Sequence, residues 1–314
     1  MGIGDAPLSG LPSTRAKLTY QVNRLRYGSI PMCRFVLYMG PEIKMGSLVT
    51  QPTHSIIVQS YRSEEREEPL NGDGFGVAWY PTGTDDAPAV FKSVSPAWNN
   101  QNLLNLSRVI HSHCILAHVR AASPGLPVTR LNCHPFAWER FAFMHNGRIG
   151  GFQTVKRQLH GMLTDSSYAW VQGTTDSETI FALFVDSYCA PEGEAPAENM
   201  ATALATTIKS VEVLCQSAGH TAGCDLNLAV TDGRSAVVSR YSTEGSTPNS
   251  LYVHTGHRYS CDGGDAKLSP SADPTVLVAS EPLTLDASWH SVDANHIVVI
   301  NESLEVDIRP LDIH

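Results

Sequence analysis

The sequence predicts an α+β protein in which β-sheets pack face to face and are covered by helices. Short apolar runs of strand length occur towards both ends of the chain, and two helical patterns lie between them. With 42% hydrophobic and 17% charged residues, the chain of 314 residues has the composition of a globular protein with a sizeable core.

The strand pattern begins at residues 33–38, which we interpret as a buried strand closed by Gly40-Pro41. A charged segment at 62–69 predicts an exposed loop. Asn71-Gly72-Asp73-Gly74 predicts a turn before the next strand, and Asp232-Gly233 predicts a turn after a later one. These further strands are predicted at 75–80, 114–119, 141–144 and 226–230.

Two helices are predicted in the middle of the chain. Thr175 and Glu178 have the spacing of a capping box, which favours a helix that continues through 179–188. The second helix is predicted at 199–217 and ends at Gly219. The C-terminal third returns to strands, with a Gly/Ser/Asp-rich loop at 255–273 and a hairpin turn at 301–303. These strands are predicted at 235–241, 251–254, 275–279, 296–300 and 304–308.

Residues 1–32 differ in composition from the rest of the chain. Gly, Pro and Ser are frequent there, Arg and Lys supply the charge, and Asp5 is the only acid. We interpret this segment as an N-terminal extension, which is a removed propeptide, a mis-called start or a weak organellar targeting peptide. The predicted domain covers residues 33–310.

Charge and cysteine usage narrow the classes of function. The net charge of −9 and the lack of dense Lys/Arg runs argue against nucleic acid or a membrane surface as a partner, and favour a small-molecule substrate. No apolar stretch has the ~18 residues of a membrane-spanning helix. Seven cysteines without close CxxC pairs predict neither a disulfide framework nor a zinc ribbon, and favour the cytoplasm. The spacing of the histidines matches no zinc signature, so we expect no metal and no cofactor.

Polar groups that could carry chemistry lie where predicted strands or helices begin or end. They occur in Met32-Cys33-Arg34, His118-Val119-Arg120, Asn132-Cys133-His134-Pro135, Met144-His145-Asn146-Gly147 and Thr175-Asp176. Each motif alone has a structural alternative. Cys33 could be a buried strand cysteine, Arg120 part of a surface ion pair, Asn146-Gly147 a type I′ turn, His134 part of a structural turn, and Asp176 a helix cap.

Taken together, these motifs resemble the class II glutamine amidotransferases, members of the N-terminal nucleophile hydrolases, from Met32 to about residue 310. Within the family, the sequence is similar to the amidotransferase-type subunit of the fungal complex that begins glutathione breakdown. It is also similar to the γ-glutamyl hydrolase of ergothioneine biosynthesis. The resemblance implies a four-layer αββα fold with two stacked antiparallel sheets covered by helices.

The resemblance also implies roles for individual residues. Cys33, freed at a new N-terminus, is the nucleophile, and its own α-amino group, with an ordinary pKa of about 7.7–8.0, is the base. Asn146 and Gly147 stabilise the oxyanion. Substrate contacts are implied for Arg120 and Ser123 at the α-carboxylate, for Asp176 at the α-ammonium group and for His134 near the substrate. Ala121, Ala122, Ser123 and Pro124 stand where the family often has aromatic and Thr-His residues, which indicates γ-glutamyl compounds larger than glutamine.

The function implied is cysteine-dependent hydrolysis of a γ-glutamyl amide, which is glutathione, a related compound or glutamine, through a γ-glutamyl thioester. A peptidase-like partner subunit is implied by the fungal relative. Two alternatives stay open. The chain could be a glutaminase subunit that delivers ammonia to a separate synthase, or a catalytically silent scaffolding subunit if residues 1–32 are retained.

Overall fold

The computed structural model describes residues 33–63, 70–83, 86–122, 127–189, 196–219 and 222–313. The predicted extension 1–32, most of the predicted charged loop 62–69 and the candidate residue Ser123 lie outside these ranges. None of the helices in the described part of the chain has both the length and the apolar composition that a membrane span requires.

Two antiparallel sheets form the centre of the molecule. Within the described residues, the first sheet has eight strands, in the order β10-β9-β11-β1-β4-β2-β3 with β12 paired to β9, and the second has six, in the order β14-β13-β8-β7-β6-β5. The strands are β1 Arg34–Lys44, β2 Phe75–Trp79, β3 Ala89–Ser93, β4 His111–Val119, β5 Phe136–Trp138, β6 Phe141–Arg148, β7 Asp225–Thr231, β8 Ala236–Ser242, β9 Tyr252–Asp262, β10 Asp265–Pro270, β11 Thr275–Ala279, β12 His290–Ser291, β13 His296–Ile300 and β14 Val306–Pro310.

Helices cover the outer face of each sheet. They are α1 Met45–Val49, α2 Ile56–Tyr61, α3 Gln101–Val109, α4 Phe152–His160, α5 Asp165–Trp170, α6 Asp176–Ser187 and α7 Pro196–Ser217. Side chains of α1, α2 and α3 pack on the first sheet, and those of α4, α6 and α7 pack on the second. The predicted αββα arrangement is confirmed.

The apolar run in β1 is explained by burial of both faces of its sheet. Phe35 and Leu37 pack in the core between the two sheets, whereas Val36 and Tyr38 pack under the helices on the outer face. Because successive side chains of a strand point to opposite faces, a strand covered on both sides must be apolar throughout. The buried strand predicted from this run is confirmed, and it lies in the interior of its sheet.

The apolar residues of the long helix α7 have the spacing of a helix with one buried face. Met200, Leu204, Ile208 and Val211 recur every three or four positions and are fully buried against the second sheet. Pro196 stands in the first turn, where its missing N–H costs nothing, and Gly219 follows the helix with a φ of 71°.

Several predicted boundaries were wrong. Gly40-Pro41 does not close the first strand, because β1 continues to Lys44 with a register shift between Met39 and Ile43. The predicted loop 255–273 is largely the β9–β10 hairpin, whose turn contains Gly263 and Gly264, both with positive φ. Its Gly/Ser/Asp content concealed strands that are held by backbone hydrogen bonds more than by apolar burial. The predicted turn at 301–303 is confirmed between β13 and β14.

Candidate active site

Cys33 immediately precedes β1 and lies where this interior strand of the first sheet begins. Its half-buried Sγ is 3.7 Å from the carbonyl oxygen of Ala121. The contact follows from the strand register, because β1 and β4 are antiparallel and Arg34 pairs with Val119. The start of β1 therefore lies beside the end of β4, and Cys33 becomes a neighbour of the segment that contains Arg120.

Arg120 is buried in the turn that follows β4. Its backbone N–H donates to Gly74 O at 2.8 Å, and its guanidinium donates to Asp73 O at 3.4 Å. The Asp73 carboxylate accepts a hydrogen bond from Ala122 N at 2.8 Å, which fastens this turn to the one that precedes β2. The residue is only 3% exposed, so the alternative of a surface ion pair is wrong.

The charge of Arg120 is uncompensated within the described ranges, where no Asp or Glu side chain forms an ion pair with it. A buried cation without a carboxylate partner is costly, and among the described residues the guanidinium donates to Asp73 O alone, which leaves most of its N–H groups available as donors. A substrate carboxylate would supply both the missing charge and the missing acceptors. The site is therefore electrostatically suited to an anionic head group.

Asn146 and Gly147 lie within β6 and not in a turn. They pair with Asn227 and Leu226 of β7, so the type I′ alternative is wrong. The Asn146 side chain is buried and doubly held. Its Nδ2 donates to Ser280 Oγ at 3.3 Å, and its Oδ1 accepts from Asn249 Nδ2 at 3.3 Å.

Only glycine fits at position 147. A Cβ placed there would lie 1.8 Å from the carbonyl oxygen of Asp225 on the neighbouring strand. The close approach of β7 therefore requires a residue without a side chain, independently of any role in catalysis.

The Ser280 hydroxyl connects β1, the strand that follows Cys33, to the side-chain amide of Asn146, the candidate oxyanion donor. Ser280 Oγ accepts from Phe35 N at 3.1 Å as well as from Asn146 Nδ2. A second link joins the sheets beside it, since His118 Nε2 lies 3.1 Å from His145 O and must donate to that carbonyl. These contacts bring together residues that are far apart in the sequence, on strands of both stacked sheets.

Asp176 begins α6 and faces the segment after Gly147. Its Oδ2 accepts from Ile149 N at 2.7 Å, and its Oδ1 accepts from Ser177 N at 2.8 Å. Thr175 caps the helix by accepting from Glu178 N at 3.3 Å, as predicted. The Glu178 carboxylate does not return the capping bond but accepts from the backbone of Gln172 and Gly173 instead.

Residues 47–309 match the family model of the class-II glutamine amidotransferases, which is most of the chain. The chain belongs to this family. It is 38% identical over 299 residues to the probable glutamine amidotransferase DUG3 of Saccharomyces cerevisiae, covering 86% of this chain and 82% of that protein.

Two further relatives agree with this assignment of the class II glutamine amidotransferase family. The γ-glutamyl-hercynylcysteine sulfoxide hydrolase of Mycobacterium tuberculosis is 26% identical, covering 86% of this chain and 94% of that protein. A solved class-II domain protein from Silicibacter pomeroyi superimposes with a TM-score of 0.59 at 27% identity, covering 89% of this chain and all of that one. The family predicted from the motifs is confirmed.

His134 is placed differently from the other candidates of this amidotransferase site. It is buried, its ring stacks on that of His118 with centroids 4.2 Å apart, and Phe136 packs edge-on against it. Burial lowers the pKa of His134 well below its usual range. Neither ring nitrogen has a hydrogen-bond partner among the described residues. The contacts give His134 a packing role against His118 and Phe136, and its substrate role stays a prediction.

Ser280 and Asn249 were missed from the sequence, although they hold Asn146 in place. Ser280 directly follows the apolar strand β11, which is the same position at a strand end that singled out Arg120. Asn249 lies in a segment without regular structure and has no comparable signal. The sequence gives His145 no role beyond its place next to Asn146. In the structure, its Nδ1 contacts Ser177 Oγ at 3.0 Å and its Nε2 contacts Asp225 O at 3.2 Å.

Proposed function

We propose that the chain hydrolyses a γ-glutamyl amide, glutathione or a related compound, through a γ-glutamyl thioester on Cys33. The observation that carries this proposal is the buried guanidinium of Arg120, which has no carboxylate partner among the described residues and lies next to Ala121, whose carbonyl oxygen contacts the Cys33 thiol. Membership of the class II glutamine amidotransferases makes the enzyme a cysteine-dependent amidohydrolase, and the site supports a head group with a free carboxylate.

The mechanism needs a base for the thiol. An ordinary thiol is mostly protonated at neutral pH, whereas a free α-amino group on the same residue has a pKa of about 7.7–8.0 and can accept the proton. Cys33 must therefore be the first residue of the working protein, because a peptide nitrogen is not basic. Removal of residues 1–32, or initiation at Met32 followed by its removal, provides that terminus.

The thiolate attacks the γ-carbonyl carbon, and the new oxyanion is stabilised by the Asn146 side-chain amide and the Gly147 N–H. The α-ammonium group of Cys33 then gives its proton to the leaving amine. Water attacks the thioester and releases glutamate. Arg120 holds the α-carboxylate of the glutamyl group, and the remaining lone pairs of Asp176 accept from its α-ammonium group. A contact of Ser123 with the same carboxylate stays a prediction, because this residue lies outside the described ranges.

The choice of substrate is supported by the relatives. The mycobacterial relative is named for hydrolysing a γ-glutamyl derivative of a sulfur compound, and the yeast relative is named as a probable glutamine amidotransferase. We place the enzyme in the cytoplasm and expect a peptidase-like partner subunit that consumes the released amine portion.

Replacement of the proposed nucleophile tests the function directly. Cys33→Ala is expected to abolish glutamate release from glutathione and from glutamine without changing the unfolding midpoint. Cys189→Ala is the matched control, because it removes an exposed thiol outside the site, and it should leave the rate unchanged. Full activity of Cys33→Ala would remove this residue from the mechanism.

The mature N-terminus and the products separate the alternatives. Intact-mass measurement of protein from its native cell should show Cys33 as the first residue, whereas retention of residues 1–32 would support a silent scaffolding subunit. Assays with glutathione should yield glutamate and the dipeptide. Turnover of glutamine alone, with release of ammonia, would support a glutaminase subunit serving a separate synthase.

A further inference from the structure

Arg34 directly follows the proposed nucleophile, and all three nitrogens of its buried guanidinium are engaged. Nε donates to Glu281 Oε1 at 2.7 Å, Nη1 donates to the carbonyl oxygen of Cys33 at 3.0 Å, and Nη2 donates to Ser63 Oγ at 3.1 Å. Arg34 shares the face of β1 occupied by Val36, so its side chain lies on the helix-covered side of the first sheet.

Glu281 holds this guanidinium from the far side. Its side chain is 1% exposed, and it accepts a short hydrogen bond from Ser63 and lies 3.6 Å from His54 Nε2. Burial by itself raises the pKa of Glu281, but the hydrogen bond from His54, the charge of Arg34 and the bond from Ser63 lower it to about 2. Glu281 and Arg34 thus form an ion pair at neutral pH.

The contact with the Cys33 carbonyl is important because of the free terminus that the mechanism requires. A first residue has no preceding peptide group to fix it, so the peptide plane between Cys33 and Arg34 is its first covalent restraint. Arg34 Nη1 binds the oxygen of that plane. The guanidinium therefore restrains the peptide plane from which the Cα atom of Cys33, with its thiol and α-amino group, extends.

Ser280, the residue before Glu281, also contacts β1. Ser280 Oγ accepts from Phe35 N and from Asn146 Nδ2, while the Glu281 carboxylate binds Arg34. Ser280 and Glu281 directly follow β11, so one dipeptide reaches both the side-chain amide of Asn146 in the second sheet and the guanidinium of Arg34 beside the nucleophile.

We propose that Arg34 and Glu281 are a pair of positioning residues that orient Cys33 towards the scissile carbonyl. This proposal rests on the proposed function, in which Cys33 is the nucleophile. Stability alone is a weak reason for such a pair, because buried ion pairs can often be replaced by apolar residues without loss of stability. Orientation of the nucleophile makes a different demand, since a displacement of about 1 Å can reduce a rate about 100-fold.

The test uses the full chain as produced in its native cell, with Glu281→Gln as the main variant. Active sites are counted by titration with a γ-glutamyl diazoketone, which alkylates the nucleophile. The expected result is a fall in kcat per titrated site of at least about 10-fold, with KM within about twofold of wild type, because Arg120 and Asp176 are untouched. Glu198→Gln, which breaks an exposed ion pair with Arg309, is the control and should change neither constant.

The pH profile gives a reading that a purely structural pair would not change. Removal of the Glu281 charge takes away the carboxylate that pairs with Arg34 among the described residues, and the less compensated cation beside Cys33 disfavours the ammonium form of the α-amino group. The acid limb of kcat/KM is therefore expected to move to lower pH in Glu281→Gln. An unchanged kcat per titrated site together with an unchanged acid limb would overturn the proposal.

Two further variants keep the result interpretable. If Glu281→Gln does not fold, the double variant Arg34→Met/Glu281→Met decides, since an apolar pair is expected to retain the fold but to lose at least about 10-fold in kcat. Wild-type kcat in the double variant would refute the positioning role. Cys33→Ala separates the two proposals, because glutamate release by Cys33→Ala refutes the proposed function itself, whatever Glu281→Gln does.

Discussion

Ser280 offers a sharp test of how the two sheets cooperate in the active site. Its hydroxyl is fully buried and accepts hydrogen bonds from Phe35 N and Asn146 Nδ2. Ser280→Ala leaves two buried donors without an acceptor, at about 1–3 kcal/mol each, so the free energy of unfolding should fall by about 2–6 kcal/mol. That loss is a large fraction of the stability of a typical domain.

The effect on catalysis follows from the same geometry. Complete loss of one oxyanion donor costs about 10²–10³ in kcat, but Asn146 keeps its bonds from Asn249 in Ser280→Ala. We therefore expect an intermediate fall of about 10-fold, or about 1.4 kcal/mol of transition-state stabilisation, with KM nearly unchanged. The measurements are urea unfolding and glutamate release per titrated active site.

Ser112→Ala is the matched control for this prediction. Ser112 Oγ is equally buried and accepts from Tyr80 N at 3.3 Å and from Cys114 N at 3.2 Å, but it lies at the opposite end of β4 from the active site. Its replacement should lower stability by a similar amount and leave kcat per site unaltered. Equal kcat values for the two variants would refute the coupling of Ser280 to Asn146.

Three further outcomes are expected. Arg120→Lys should raise KM for γ-glutamyl substrates about 10-fold, because an ammonium cannot match two carboxylate oxygens in parallel, and an unchanged KM would assign the carboxylate to another residue. Gly147→Ala should cost about 3 kcal/mol or more in urea unfolding, since its Cβ would overlap the Asp225 carbonyl oxygen, whereas Gly161→Ala, with no neighbour nearer than 3.4 Å, should be neutral. Burial lowers the pKa of His118 to about 3 in the folded chain, whereas its ordinary pKa of about 6.5 applies in the unfolded chain. Between these two pH values, the unfolded chain binds a proton at His118 that the folded chain does not bind. Stability should therefore fall by about 2 kcal/mol from His118 alone between about pH 7 and about pH 5, and His118→Gln should reduce that slope, which denaturant titrations at both pH values would check.

The core elements were predictable because their signals are local. The strands at 275–279 and 296–300 were predicted with the bounds that the structure has, since β-branched and apolar residues run without interruption through 275–279 and 297–300. Short helices such as Met45–Val49 and Ile56–Tyr61 were missed. Helices of this length have little intrinsic stability, and packing on the first sheet provides most of it.

The sequence by itself determined which residues stand at the ends of buried strands, and therefore which polar groups could reach an active site. Cys33 and Arg120 became candidates this way, whereas Asp176 became one by its place at the start of the predicted helix. Only the tertiary structure decided that Asn146 lies in a paired strand, and that Ser280 and Glu281 support the site from a distant part of the chain. The physical reason is that a hydrogen bond between side chains depends on where the sheets bring their atoms, and local spacing along the chain does not encode that distance.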